Sequence, residues 1–182
     1  MNLPESAVVI DASSSSERGS PAIGAFAVAA LCDRGLLTQR IDLRRMPRAA
    51  LFDGYSSDRL KAAGEAAKHA DFVVLAVDAE DPESVGLVKA FAARLPEGAF
   101  ARRTVLVILG VNGLAQADAA ARVVRTALAP SGAAEIDVAV IDRSRDGHDL
   151  DLEAMLGTRL TTVLSQSEAE LMYLGSRGDR AA

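Results

Sequence analysis

The chain has no tryptophan, a single cysteine and only 4% aromatic residues among 182. One thiol, Cys32, excludes an internal disulfide and fits a reducing compartment. With so few rings, the core has to be built from Ala, Val, Leu and Ile within a hydrophobic content of 49%. Positive charge is also short, since 20 Lys and Arg face 25 Asp and Glu and leave a formal charge of −5. Nucleic acids and anionic membranes need clustered cations, so neither is an expected partner. No apolar run approaches a membrane span. Residues 1–6 have neither the basic nor the apolar region of a secretory signal. The expectation is a soluble cytoplasmic protein, with a single domain over residues 1–174 and a disordered tail over 175–182.

Short apolar runs alternate with longer Ala-rich amphipathic segments, the pattern of a parallel sheet covered by helices on both faces. Strands are expected at residues 7–12, 37–43, 72–77, 105–109 and 136–141. The run at 72–77 is the most hydrophobic and therefore the expected centre of the sheet. The segment at 37–43 alternates Leu37, Gln39, Ile41 and Leu43 with Thr38, Arg40 and Asp42, as an edge strand does. Helices are expected at residues 21–34, closed by Gly35, and at 58–69, capped by Ser57 or Asp58. Others follow the acidic loop to about residue 94, run to about 129 after strand four, and close the chain at 150–174. Residues 44–55 read as a basic loop. This is an α/β chain whose five parallel strands fit the doubly wound order 2-1-3-4-5, with ligands beyond the carboxyl ends of the strands.

The first strand runs into Ser13, Ser14, Ser15 and Ser16, then Glu17, Arg18, Gly19, Ser20 and Pro21. Ser20 suits an N-cap and Pro21 the first helical position. Hydroxyls, backbone N–H groups and a helix N-terminus at a strand end favour an anion, most often a phosphate.

Across residues 8–133 the chain resembles the NAD(P)H-dependent FMN reductases of flavodoxin-like fold, a three-layer α/β/α sandwich. It is most similar to the small reductases that supply reduced flavin to sulfonate or aminopolycarboxylate monooxygenases. The likeness rests on Ala70-Asp71, Gly86-Leu87-Val88-Lys89, Leu95-Pro96 and the strand entry at residues 100–109. It implies FMN and NAD(P)H as ligands, a flavin-dependent monooxygenase as partner and a homo-oligomer, dimer or tetramer. It also implies that Ser13, Ser14, Arg18 and Ser20 hold the FMN phosphate, while Asp78, Gly110, Asn112 and Gly113 approach the ring. No side chain is expected to act as an acid or base, because nicotinamide and flavin exchange a hydride directly.

The loops depart from the family pattern. Ala12 replaces a glycine of the first loop; Val77, Asp78, Glu80 and Ser84 replace a Thr-Pro-x-Tyr motif with a second tyrosine. Gly110-Val111-Asn112-Gly113 replaces a Gly-Gly pair, and Arg122 a tyrosine of helix four. Carboxylates beside a phosphorylated flavin cost roughly 1–4 kcal/mol per close pair. The alternative is therefore a non-catalytic family member that has lost flavin and serves as an oligomeric binding subunit.

The acids Asp78, Glu80, Asp81 and Glu83 read first as solvated charges at a helix N-terminus. With Asp11 they form an alternative Mg²⁺ or Ca²⁺ set, and a metal-assisted phosphate hydrolase built on Asp11 and Asp78 is the third reading. Cys32 falls on the apolar pattern of helix one and is expected to be buried, His69 at its helix end is read as structural, and His148 as solvated. Arg44, Arg45 and Arg48 form a small basic patch, either solvated or facing a nucleotide phosphate.

Overall fold

The computed structural model describes residues 6–13, 23–101, 103–133 and 135–142, together with 157, 158 and 162. The five strands are β1 (Ser6–Asp11), β2 (Leu37–Asp42), β3 (Phe72–Asp78), β4 (Thr104–Val111) and β5 (Glu135–Asp142). All pair in parallel, in the order β2-β1-β3-β4-β5, which is the expected doubly wound topology with β3 at its centre. Every residue of β3 and β4 is buried, as strands covered on both faces must be. The edge strand β2 is mostly exposed, and Leu37 retains 78% of its accessible surface.

The five described helices are α1 (Ile23–Cys32), α2 (Arg48–Phe52), α3 (Asp58–His69), α4 (Pro82–Ala92) and α5 (Ala117–Leu128). Strand periodicity sorts the core into two layers. Val8, Ile10, Val73, Leu75, Val105 and Val107 face a cluster completed by Leu87, Val88 and Phe91 of α4 and Val124 and Leu128 of α5. Ala7, Val9, Val74, Ala76, Leu106 and Ile108 face α1, through Ile23, Ala27, Ala30 and Leu31. The sandwich therefore has helices on both sides of the sheet.

Local chemistry explains the helix ends. The Ser57 hydroxyl accepts from the Leu60 N–H, and Asp81 Oδ1 accepts from the Glu83 N–H with Pro82 at the first position of α4. Gly35 follows α1 at φ +81°, the left-handed conformation that favours glycine.

Several boundaries differ from the sequence expectation. The basic segment contains α2 rather than a continuous loop: the Arg94 guanidinium donates to the carbonyls of Leu51 and Phe52 and holds its end. Gly110 and Val111 belong to β4, because pairing with Asp78 on one side and Ile141 and Asp142 on the other extends the strand. Cys32 is exposed, since the last residue of α1 turns away from the sheet. The closing helix at 150–174 and the tail lie almost wholly outside the described residues, as does His148.

Candidate functional site

Four strands end in aspartate at one edge of the sheet: Asp11, Asp42, Asp78 and Asp142. Register puts them side by side, with Asp11 opposite Asp42, Asp78 opposite Gly110, and Val111 opposite Asp142. Three of them close the same local turn. The Asp11 carboxylate accepts from the Ser13 N–H at 2.9 Å, Asp42 from the Arg44 N–H at 3.0 Å, and Asp78 from the Glu80 N–H at 3.2 Å. A short acidic side chain that bonds the amide two residues on turns the chain away from the strand axis. The acids at this edge thus have a structural origin, and they also set its negative potential.

Asp11 is 2% exposed, and its carboxylate receives four donors. Oδ1 takes the Ser13 N–H and the Ser13 hydroxyl at 2.6 Å, and Oδ2 takes Arg40 Nε at 2.9 Å and Arg40 Nη2 at 2.5 Å. Arg40 reaches it from the neighbouring strand, where Val9 pairs with Arg40, so both side chains leave the α1 face of the sheet. A methyl group at Gly24, in the first turn of α1, would overlap the Asp11 carboxyl carbon and Oδ2. The carboxylate is therefore seated directly against that turn, and the Gly24 N–H points to the Ser13 hydroxyl at 3.4 Å.

Carboxylates tie the loop after β4 to the loop after β3 on one side and to the end of β5 on the other. Glu80 Oε1 accepts from the Asn112 N–H at 3.0 Å, and Asp142 Oδ1 accepts from the Gly113 N–H at 3.0 Å. The Gly110 carbonyl accepts from the Ala79 N–H at 2.9 Å. Gly113 sits at φ +111°, where a side chain would be strained, so the turn that presents these two amides depends on glycine. Beneath them the Ser84 hydroxyl accepts from the Asp78 N–H at 2.9 Å.

The arginines of the basic patch are paired with carboxylates, Arg45 and Arg48 while largely exposed. The Arg44 guanidinium is paired with Asp81 and with Glu83 at 3.0 Å, and its Nε donates to the Ser13 carbonyl at 3.2 Å. Arg48 pairs with Glu83, and Arg45 with Asp42 at 3.2 Å. Burial, the largest single influence on Arg44, pulls its pKa down; hydrogen bonds and charge from Asp81 and Glu83 together outweigh it and leave it raised.

Of the expected site residues, Ser13, Asp78, Gly110, Asn112 and Gly113 gather at this carboxyl edge, while Ser14, Arg18 and Ser20 lie outside the described residues. Ser13 directs both its donors at Asp11. The sequence reading missed Arg40, gave Arg44 to a solvated or phosphate-facing patch, and read Asp11 as a metal ligand rather than an anchor; an aspartate two residues ahead of the turn amide, repeated at three strand ends, was the available signal. Among the described residues no group of three or more His, Cys, Asp or Glu is placed to hold a metal ion. Asp11, the anchor of the hydrolase reading, is committed to Arg40. A cavity of about 430 Å³ lies at the opposite end of the sheet, between Ser6, Leu37, Gln39 and His69, away from the strand ends where ligands of this topology sit. Among the described residues no helix is long and apolar enough to cross a membrane.

Neither a family model nor a curated protein matches the chain. Solved structures do. An NADH:FMN oxidoreductase in its apo form superposes with a TM-score of 0.73 at 24% identity, over 89% of each chain. An oxidoreductase from Corynebacterium diphtheriae gives 0.69 at 17%, over 93% of this chain and 99% of that one. An FMN-dependent NADH-azoreductase from Bacillus anthracis, in complex with FMN, gives 0.55 at 11%, over 89% and 98%. The fold of the described residues is flavodoxin-like.

Proposed function

We propose that this protein is an NAD(P)H-dependent FMN reductase in which the flavin is an exchangeable substrate. The observation that carries the reading is the pair of backbone amides at Asn112 and Gly113, which lie side by side on the carboxyl edge and each already hold an acceptor oxygen. Ring carbonyls of a flavin are acceptors of the same kind. The donors are of the kind a ring takes once Glu80 and Asp142 give way, and they stand at the strand ends where flavodoxin-like sheets bind ligands. Similarity to an NADH:FMN oxidoreductase and to an FMN-dependent azoreductase supports the choice of flavin and nicotinamide.

Asn112 and Gly113 would take ring oxygens, and Gly110 and Asp78 would form the floor between the two loops. The flavin, when bound, supplies the hydride-accepting chemistry. Binding is weak and reversible because Glu80 and Asp142 compete for the same amides, and because Asp81 and Glu83 border the approach. A reductase that releases its flavin fits supply to a partner monooxygenase, and we place it in the cytoplasm, where nicotinamide nucleotides are available.

One observation favours a second reading. The loops after β3 and β4 present carboxylates rather than rings, and their amides are satisfied by the chain itself. A flavodoxin-like binding subunit without flavin would look the same. A titration of the purified protein with FMN, read by flavin fluorescence and followed by NADH and NADPH oxidation, separates the two. Saturable quenching with turnover supports the reductase; no quenching and no oxidation above background sinks it and leaves the binding subunit.

A further inference from the structure

We propose that Glu80 makes the carboxyl-edge site discriminate between the two redox states of its flavin, binding the oxidised ring more tightly than the reduced one, so that reduced flavin leaves once it is formed. This deepens the reductase reading and rests on it.

Oxidised and reduced FMN carry the same phosphate and the same ribityl chain, so contacts made outside the ring contribute equally to both and drop out of their ratio. What differs is the charge of the ring. The nicotinamide gives up a hydride and becomes an oxidised cation; the ring takes up that hydride, two electrons and one proton, and gains one negative charge. A site therefore prefers one state over the other through the charges that stand beside the ring.

Glu80 is such a charge. It is partly buried, and its Oε1 accepts from the Asn112 N–H at 3.0 Å. Among the described residues it makes no ion pair, whereas Asp81 and Glu83 are matched by Arg44 and Arg48. Neither loop that frames the amide pair, residues 79–81 and 112–116, contains Lys, Arg or His. The N-termini of α4 and α5 face the same edge, and acids already stand at the start of each: Asp81 caps α4 ahead of Glu83, and Asp118 lies in the first turn of α5. A ring oxygen that takes the Asn112 amide displaces the Glu80 carboxylate from that bond. Glu80 stays tethered to the adjoining loop, whose Ala79 N–H is bonded to the Gly110 carbonyl at 2.9 Å, so its charge remains beside the ring. The oxidised ring is neutral and tolerates that neighbour; the reduced ring is repelled by it.

The test is a redox titration of FMN, free and with excess native protein, made without oxygen at one fixed pH. The shift in midpoint potential reports the ratio of the two dissociation constants. Reduced FMN is expected to bind roughly tenfold more weakly than oxidised FMN at low ionic strength, which lowers the midpoint by about 30 mV for a two-electron couple, and added salt should narrow the gap. Glu80→Gln keeps an oxygen for the Asn112 amide and removes the charge; it should bring the two constants within about threefold of each other. Saturable binding of oxidised FMN with no fall in midpoint, or a fall that persists undiminished in folded Glu80→Gln, overturns the proposal and leaves the reductase reading standing. Absence of FMN binding overturns both.

Discussion

Glu80 and Asn112, from adjacent loops at the end of the sheet, are joined by a hydrogen bond of 3.0 Å from the backbone amide to the carboxylate. The bond joins the loops that follow β3 and β4 and, on the proposed reading, places a negative charge beside the flavin ring. On that reading Glu80 competes with the ring for the Asn112 amide. Glu80→Ala should therefore strengthen flavin binding by about tenfold, the equivalent of roughly 1.4 kcal/mol, because an acceptor and a charge are both removed. Asn112 is exposed, so the freed amide is hydrated and stability should change by less than about 1 kcal/mol. Flavin titration and thermal melting of the variant check both statements. Unchanged or weaker flavin binding in a folded variant would show that the carboxylate is not in the ligand's way.

The contact between Gly24 and Asp11 is a packing constraint of another kind. Any side chain at Gly24 meets a buried carboxylate held by four donors, which has no direction in which to yield. Gly24→Ala should cost about 3 kcal/mol, from overpacking and a displaced ion pair. That corresponds to a fall in Tm of roughly 6–12 °C for a chain of this size. A Tm within about 2 °C of the parent would mean that α1 does not rest on the carboxylate.

Cys32 gives a direct check on the end of α1. An exposed thiol in the native fold should react with a disulfide reagent without denaturant, one equivalent per chain, at a rate within about tenfold of the unfolded protein. A thiol slower than that by about two orders of magnitude would show that Cys32 is covered and that the end of α1 is not open to solvent.

These relationships differ in how far the sequence shows them. The strand runs at 72–77 and 105–109 are legible because a parallel strand buried on both faces must be apolar along its length, while Gly110 and Val111 join β4 only through pairing. Ser57 announces its helix through side-chain chemistry that is local, whereas Asp81, read as a solvated charge, proves to cap α4. The Asp11–Arg40 pair is not local: 29 positions separate the two residues, and only the register of β1 on β2 makes them diagonal neighbours on one face. The same holds for Arg44, which looks like part of a free basic patch until the fold sets it between Ser13, Asp81 and Glu83. Helix α2 was hidden in a Pro- and Gly-bearing stretch, and the arginine that holds its end lies 43 residues further on. Periodicity identifies the scaffold, while the charges that govern the site are sorted by tertiary contact.

Arg44 is where those contacts converge. It joins the end of β1, through the Ser13 carbonyl, to the start of α4, through Asp81 and Glu83. The pairs are partly exposed, so their net contribution to stability is about 1 kcal/mol rather than the several that their number suggests. The raised pKa sets the sign with pH: the contribution is fully present below the unfolded-state pKa of arginine and is lost only as pH rises through the still higher folded value. Across neutral and mildly alkaline conditions, salt rather than pH should weaken the clamp. Arg44→Ala should lower stability by about 1 kcal/mol at low ionic strength and by less at high salt. It should also weaken flavin binding several-fold, roughly threefold to tenfold, because Asp81 and Glu83 then face the ligand without their counter-charge. Arg44→Lys should recover part of the charge effect but not the three-way bridge, since an ammonium is a point charge without the planar fork. Melting curves at two salt concentrations and flavin titrations of both variants test this directly. A parent-like Tm and an unchanged flavin Kd in Arg44→Ala would show that the two loops hold their positions without it.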